Sequence, residues 1–280
     1  MFPSEDLRRQ AVRALARVGG PALLLFCVVD DHVHVVVLCD DDRVGVLARS
    51  LLLALRPLAG PGISPAHVRP VQGRSHLMWL VGYCLAQPSK HRIGAHPALW
   101  SGSCFLDLVG ARVLPGYAPP LREALPRLRG RVCFEHVGLP ARPLQPLDDD
   151  ALREVTATAL VAAASAALAA PPDLPGNSAL VVTCRRAVAQ LGKAAGFTAA
   201  QLARALRIQP NAVRRLARAP VPPGVLPAVR RRLALEARVA GQPMLVAEAP
   251  MTWGPAAYEI NEADAAASAP APEPEAPAND

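Results

Sequence analysis

Two histidines one residue apart lie in a strongly apolar part of the chain, and together they offer the chemistry of a metal site. Within LLLFCVVDDHVHVVVLC (23–39), His32 and His34 flank Val33. On a β-strand, the side chains of residues i and i+2 leave the same face, so the two imidazoles point together and Val33 points away from them. Because imidazole is a common ligand for transition metals, such a pair needs only a third ligand.

The elements that must position this pair begin with a predicted β-hairpin. Two apolar, β-branched runs meet at Asp30 and Asp31, and two such runs separated by a pair of turn residues are typical of a hairpin. The second run carries the histidines. Around the hairpin we expect helices over 4–18, 43–58 and 75–88 and a short strand from His67 to Val71.

A phenol and an amide lie on one face of the helix predicted over 75–88. Tyr83 and Gln87 are four residues apart, so their side chains stack one above the other. Pro88 disfavours the helical conformation in the residue before it, and the helix should therefore end near Gln87. Both side chains are then at a helix end from which they can reach toward a sheet.

Four short segments occur in an order and at spacings that resemble a known family. They are the hydrophobic–His–Val–His–hydrophobic strand at 28–38, PVQGRSH at 70–76, GYCLAQP at 82–88 and LWSGS at 99–103. This arrangement resembles the single-tyrosine HUH transposase superfamily, and most closely the REP-associated tyrosine transposases. The likeness covers residues 5–113. A His-x-His pair alone is a weak motif, but four pieces in register are fairly specific.

The resemblance implies a metal-dependent enzyme that cleaves and rejoins single-stranded, hairpin-forming DNA. Tyr83 would attack a phosphodiester, leaving a 5′-phosphotyrosine and a free 3′-hydroxyl. His32, His34 and Gln87 would hold Mg²⁺ or Mn²⁺, which would polarise the scissile phosphate. A phenol is mostly protonated at neutral pH and is a weak nucleophile, so it benefits from activation of its target. The covalent intermediate keeps the bond energy that strand transfer needs.

Basic and aromatic residues near the predicted site suit single-stranded DNA. Trp79 and Trp100 could stack on unpaired bases, although the position of Trp79 four residues before Tyr83 favours the core. The basic side chains could equally form an ordinary solvated face. The candidate contacts to backbone phosphates are Arg69, Arg74, Lys90, His91 and Arg92.

The chain departs from the family pattern at three places. Asp30-Asp31 replaces the usual Pro-Asn, and Gln87 stands where close relatives have Asn, although glutamine is the ligand in other single-tyrosine members. The family also opens with a strand before the first helix, which residues 1–3 cannot provide. We therefore expect a sheet that lacks one strand and has an exposed edge, which favours pairing into a homodimer.

Composition and residue patterns divide the chain into four regions. The resemblance implies a ferredoxin-like antiparallel sheet with helices, and the residue patterns predict an all-α helix-turn-helix domain after it, so the expected fold is α+β. The regions are an HUH-like nuclease domain (1–114), a Pro- and Arg-rich connector with one short helix (115–147), a helical domain (148–245) and a disordered tail (246–280) that is acidic from Ala266 onward.

A helix-turn-helix is predicted within 178–218. Thr198 and Gln201 form a capping-box pattern that opens a short helix, and Pro210 stands at the first position of the next helix. That next helix presents outward Gln209, Asn211, Arg214, Arg215 and Arg218, which suit contacts to bases and phosphates. Arg230, Arg231 and Arg232 are further candidates for phosphate contacts. The alternative is a small helical bundle with an arginine-decorated face.

The overall charge is compatible with a nucleic-acid partner. The formal net charge is +7, and only two of the 30 Lys and Arg residues are lysine. Guanidinium groups match phosphate geometry, but a high genomic GC content would also enrich arginine. The six cysteines form no Cys-x-x-Cys pair, and with no export signal or membrane span we expect a cytoplasmic protein with reduced thiols.

Three functional hypotheses follow from the sequence. The first is the transposase-like nuclease and strand transferase described above. The second is a catalytically inactive, domesticated relative that acts as a DNA-binding or regulatory protein. The third, which the arginine-rich helix disfavours, is a metal-binding protein with no role on nucleic acid.

Overall fold

The apolar residues around the two histidines form the predicted antiparallel hairpin. In this computed structural model, strand β1 (Leu23–Val28) pairs with strand β2 (Val33–Val37), and Cys27 lies opposite His34. The chain reverses at Asp30 and Asp31, and the Val29 N–H donates to the His32 carbonyl at 3.0 Å. All six residues of β1 are buried, as expected from its unbroken apolar run.

The structure describes residues 2–60, 63–91 and 94–241, and over these it is an α+β protein that is mostly helical. β1 and β2 form a two-stranded sheet. The tail expected over 246–280 lies outside the described residues. The helices are α1 (Glu5–Gly19), α2 (Asp41–Ala59), α3 (Gly73–Leu85), α4 (Gln87–Lys90), α5 (Phe105–Leu108), α6 (Leu121–Ala124), α7 (Gly130–His136), α8 (Asp149–Arg153), α9 (Ala157–Ala167), α10 (Ala179–Ala194), α11 (Ala199–Leu206), α12 (Pro210–Arg218) and α13 (Val225–Ala240).

Helices α1 and α3 pack on β1, α2 packs on α1, and all three contribute with the hairpin to the first apolar core. The Ser4 side chain accepts from the Leu7 N–H and caps α1. Helix α3 packs on β1 and ends at Leu85, close to the boundary predicted from Pro88. The strand expected from His67 to Val71 is wrong, because these residues have no strand partner and are exposed. Val68 and Val71, the two apolar residues of this stretch, are 52% and 39% exposed, so the pattern buries no apolar surface.

The edge of β1 that does not face β2 is covered by the tryptophan–serine segment. The Val28 N–H donates to the Gly102 carbonyl at 3.0 Å, and the Cys104 N–H donates to the Phe26 carbonyl at 3.1 Å. The Trp100 Nε1–H also donates to the Val28 carbonyl at 2.8 Å. A loop thus satisfies backbone groups that a further strand would otherwise pair. Among the described residues, the outer edge of β2 has no strand partner.

A buried ion pair holds this loop in position. The guanidinium of Arg112 donates to the Ser101 carbonyl at 2.6 Å and to the Ser103 carbonyl at 2.7 Å. The same group bonds both carboxylate oxygens of Asp107, at 2.9 and 2.5 Å. The two side chains are only 1% and 2% exposed, so the pair is fully desolvated and depends on these contacts.

The segment 115–147 contributes to the first core. It contains two short helices, α6 and α7, rather than the single helix expected from its sequence. Their buried apolar residues and those that follow α7 pack with the hairpin and α3. These residues are Leu121, Leu125, Cys133, Phe134, Val137 and Leu139.

Helices α8 to α13 build a second apolar core. Thr198 and Gln201 form the predicted capping box at the start of α11. α11 ends at Arg207, which has a left-handed backbone conformation with φ 54°, and α12 begins at Pro210. Helices α10, α11 and α12 pack against one another. None of the described helices combines the length and apolar character that a membrane span requires.

Arginines from α1 join the two cores. The Arg9 guanidinium donates to the Ser165 hydroxyl at 2.6 Å and to the Ala170 carbonyl at 2.5 Å. Arg13 donates to the Ala169 carbonyl. The last carbonyls of a helix lack partners within the helix, so these arginines satisfy acceptors around the end of α9. One compact unit extends from Met1 to Gln242.

Two arginines of α13, Arg230 and Arg232, have partners inside the protein. Arg230 donates to the Leu147 carbonyl and the Asp149 carboxylate, at 2.7 and 2.5 Å. Arg232 is buried and donates to Glu236 at 2.7 Å. The expectation that Arg230, Arg231 and Arg232 hold phosphates is wrong for Arg232, whose guanidinium is buried, and stays a prediction for Arg230 and Arg231.

We predict that Gly102→Ala is strongly destabilising. A Cβ atom at this position would lie 2.1 Å from the Val28 carbonyl oxygen, so the loop would have to leave β1. The free energy of unfolding should fall by about 3 kcal/mol in urea denaturation, from steric displacement and lost hydrogen bonds. Gly45→Ala is the control, since its Cβ meets open space in α2, and it should stabilise by about 0.5–1 kcal/mol. Equal midpoints for Gly102→Ala and wild type would contradict this description of the loop.

Candidate active site

The two histidines face each other on one side of the hairpin. The Nε2 atoms of His32 and His34 are 2.7 Å apart, while Val33 packs against the first core. His32 immediately precedes β2, and the extended chain there sends the His32 and His34 side chains to one side and the Val33 side chain to the other. The Nδ1 atom of His32 lies 2.7 Å from an oxygen of Asp31, and this contact orients the ring and leaves Nε2 for a ligand.

His34 is electrostatically suited to bind a metal. Burial, with a further contribution from the neighbouring His32, lowers the pKa of His34 to about 4. The imidazole is therefore neutral at physiological pH and keeps a lone pair on one ring nitrogen. A neutral imidazole is the form that coordinates metals, because a protonated ring has no free lone pair.

Helix α3 and the turn after it bring Tyr83 and Gln87 to these histidines. The Tyr83 ring meets His34 edge to face, with centroids 5.1 Å apart and planes at 83°. Gln87 is 2% exposed, and its Nε2–H donates to the Tyr83 carbonyl at 3.0 Å. The Gln87 side chain also acts on His34, where it raises the pKa against the larger effect of burial. With its nitrogen held by the backbone, the amide presents its oxygen as the atom able to ligate.

Two further side chains contact the tyrosine ring. The Trp79 ring stacks on Tyr83 with centroids 5.0 Å apart and planes at 21°. The Nζ atom of Lys90 lies 4.3 Å from the Tyr83 ring centroid, within the range of a cation–π interaction. These contacts restrict the ring and place a positive charge beside the phenol.

His91 forms a second possible donor set that sequence analysis did not identify. Its ring lies 4.9 Å from that of His32, and ligand atoms of Asp31, His32 and His91 lie within 4.8 Å of one another. Sequence analysis assigned His91 to phosphate contacts. The signal that could have identified it is its position four residues after Gln87, on the same side of a helical turn.

The donor atoms at this site suit a divalent cation. His32 and His34 offer imidazole nitrogens, Gln87 an amide oxygen, and Asp31 a nearby carboxylate. Nitrogen ligands are typical of first-row transition metals, whereas Mg²⁺ prefers oxygen ligands almost exclusively. The mixed set therefore fits Mn²⁺ better than Mg²⁺.

The two tryptophans occupy different environments from those expected. Trp100 is buried and hydrogen-bonded to the Val28 carbonyl, so it offers no face to a nucleobase. Trp79 is 43% exposed, and the expectation that it belongs to the core is wrong. One turn of α3 separates Trp79 from Tyr83, and the Trp79 ring stacks on Tyr83 instead of entering the core.

The predicted DNA-contact residues are mostly exposed. Arg69 donates to His67 at 2.9 Å, and Arg74 lines a groove of about 420 Å³ together with Met78, Leu125 and Arg127. Arg92 lies outside the described residues. On α12, Val213 is buried, and the five predicted contact residues lie on the exposed side. They are Gln209, Asn211, Arg214, Arg215 and Arg218.

Comparison with known proteins gives no assignment. No protein-family model matches the chain, and no curated protein or solved structure matches it. Any function proposed for the chain therefore rests on its motifs and on the geometry of this site.

We predict that Mn²⁺ binds through His34 rather than through His91. Isothermal titration calorimetry should show that His34→Ala weakens Mn²⁺ affinity at least about tenfold, because a ligand is lost, while His91→Ala binds like wild type. The matched control is His67→Ala, which removes an exposed imidazole that lies outside both donor sets. Loss of affinity in His91→Ala together with normal affinity in His34→Ala would assign the ion to Asp31, His32 and His91 instead.

Proposed function

We propose that this protein is a transposase-like nuclease and strand transferase of the single-tyrosine HUH type, acting on single-stranded, hairpin-forming DNA. The observation that carries the proposal is the placement of the Tyr83 ring against His34, with Gln87 anchored one helical turn later. These three residues and His32 come from two parts of the chain that are distant in sequence. Their convergence supports the likeness to REP-associated transposases.

The proposed reaction is a transesterification by the phenol. The Tyr83 oxygen bonds to phosphorus, and the bond from phosphorus to the 3′ oxygen breaks. The phenolic proton is lost and the 3′ oxygen gains one, which leaves a 5′-phosphotyrosine and a free 3′-hydroxyl. A divalent ion held by His32, His34 and Gln87 would supply Lewis-acid polarisation of the phosphate. Lys90 lies beside the tyrosine ring and offers its charge to the incoming DNA backbone.

The helical region supports a second contact to DNA. We propose that α10, α11 and α12 act as a helix-turn-helix, with α12 reading the duplex part of the hairpin. Support comes from the exposed side of α12, where asparagine and glutamine can contact base edges and arginines can contact phosphates. We propose likewise that the hairpin, α1 and α3 are part of a ferredoxin-like arrangement. The unpaired edge of β2 would serve homodimer formation.

A second candidate function is that of an inactive relative that binds DNA and regulates. The observations that favour it are the two-stranded sheet among the described residues and the Asp30-Asp31 pair in place of Pro-Asn. In that case the α12 surface would be kept for DNA binding while the tyrosine would not react.

We predict that wild-type protein forms a covalent adduct with DNA that Tyr83→Phe does not form. Protein, Mn²⁺ and a hairpin-bearing single-stranded oligonucleotide are mixed, and a denaturation-resistant band is sought by gel electrophoresis. Tyr117→Phe is the matched control, since Tyr117 is a buried core residue. Wild type that shifts the DNA but forms no adduct would favour the regulatory candidate. Adduct formation by Tyr83→Phe would assign a different nucleophile.

We also predict that α12 contributes phosphate contacts. The logarithm of the binding constant falls as the logarithm of the salt concentration rises. Arg215→Ala and Arg218→Ala should each make this slope less steep by about one, because each removes a phosphate contact. Fluorescence anisotropy at several salt concentrations measures this slope. Arg17→Ala, which removes an exposed arginine from α1, should leave it unchanged. The same slope in all four proteins would exclude α12 from the interface.

A further inference from the structure

The exposed ring of Trp79 has no role in the mechanism described above. Its exposed fraction is 43%, whereas a tryptophan side chain is normally among the most buried in a protein. The ring is nevertheless held in place: it stacks on Tyr83, and the His76 ring lies 6.0 Å away at 51°. His76 in turn accepts from the Gln72 N–H at 3.0 Å.

A flat ring that is both ordered and exposed is suited to a stacking ligand. Because its neighbours already restrict the ring, little conformational entropy is lost when a partner stacks on it. Leaving so large an apolar surface in water is unfavourable, and a planar ligand would cover it. The position beside Tyr83 places any such ligand at the candidate active site.

The charge around the ring indicates which planar ligand fits. Lys90 is exposed and lies over the neighbouring Tyr83 ring, with its Nζ atom 4.3 Å from the ring centroid. A single-stranded nucleic acid combines anionic phosphates with unpaired bases, and aromatic side chains beside basic residues are the common means of binding it. In a duplex the faces of the bases are covered by their neighbours, so an unpaired base is the occupant that fits.

We propose that Trp79 is a positioning residue that stacks on the unpaired base next to the phosphate attacked by Tyr83. The inference rests on the proposed function, because Tyr83 defines which phosphate lies at the site. Stacking on a ring that itself contacts Tyr83 would fix the strand relative to the phenol. Trp79 thus favours substrates that are single-stranded at the cleavage position, with little preference among bases.

The test measures how the full-length protein binds a labelled hairpin oligonucleotide with a single-stranded arm. Trp79→Ala should weaken binding about 5- to 100-fold, as expected for loss of one stacked base, while Trp79→Phe should stay within about threefold of wild type. Leu53→Ala is the matched control, because it shortens another exposed apolar side chain, 56% exposed on α2. Thermal unfolding of each variant verifies that it is folded.

A scan of abasic nucleotides along the arm separates stacking from a structural role. At one position, removal of the base should weaken DNA binding by wild type as much as Trp79→Ala weakens binding to the intact oligonucleotide. The same abasic oligonucleotide should bind the Trp79→Ala protein about as well as the intact one does. A merely structural role would instead give the same loss at every position. The inference is supported if the losses of affinity from Trp79→Ala and from the abasic nucleotide are non-additive at one position of the arm only. It is overturned if the two losses add at every position.

The remaining outcomes separate this inference from the proposed function. If wild type forms the adduct and Trp79→Ala binds and reacts equally well, the stacking role is wrong and the nuclease proposal stands. If wild type neither binds DNA nor forms an adduct, the proposed function fails, and the stacking role fails with it. If Trp79→Ala changes only the monomer–dimer equilibrium, the ring belongs to a protein interface and the inference is overturned.

Discussion

The buried pair of Arg112 and Asp107 is the interaction on which the geometry of the candidate site depends. Arg112 binds the Ser101 and Ser103 carbonyls, and the loop between them covers the free edge of β1. β1 in turn holds β2 and the histidines. A buried ion pair tolerates the loss of one partner badly, since the remaining charge stays desolvated, at a cost of about 3–5 kcal/mol. Residues far from His32 and His34 in the sequence therefore help to determine whether the two imidazole rings face each other.

The chemical character of the site follows from which groups are buried and which are exposed. His34 and Gln87 lie on the inner side, where burial keeps the imidazole neutral and the amide oriented. His91, Lys90 and Trp79 lie on the outer side, where charge and an aromatic surface face solvent. A metal ligand set backed by a basic, aromatic surface is the arrangement that the proposed reaction on single-stranded DNA requires.

Local rules predicted the features that depend on short stretches of chain. The turn at Asp30-Asp31, the shared face of His32 and His34, and the capping box of Thr198 and Gln201 all follow from alternation, turn and cap chemistry. Helical spacing likewise predicted that Gln87 lies near Tyr83, although its amide contacts the Tyr83 carbonyl rather than the ring.

Features that depend on contacts between distant segments were not predictable in this way. Nothing in the residues around Gly102 indicates that this loop occupies the edge of β1, because its hydrogen bonds to β1 join segments that are distant in sequence. The exposure of Trp79 and the approach of His91 to His32 depend likewise on how α3 and α4 pack on the hairpin. The strand expected from His67 to Val71 did not form because a strand needs a partner as well as an apolar pattern.

Mass spectrometry of the trypsin-digested protein after reaction with a hairpin oligonucleotide and Mn²⁺ tests the proposed chemistry most directly. Cleavage after Arg74 and Lys90 releases the peptide 75–90, in which Tyr83 is the one tyrosine. The proposed mechanism predicts that this peptide carries on Tyr83 the oligonucleotide segment downstream of the cleaved bond, linked through its 5′ phosphate. A nucleotide on any other peptide, or an unmodified peptide 75–90 from protein that binds the DNA, would contradict it.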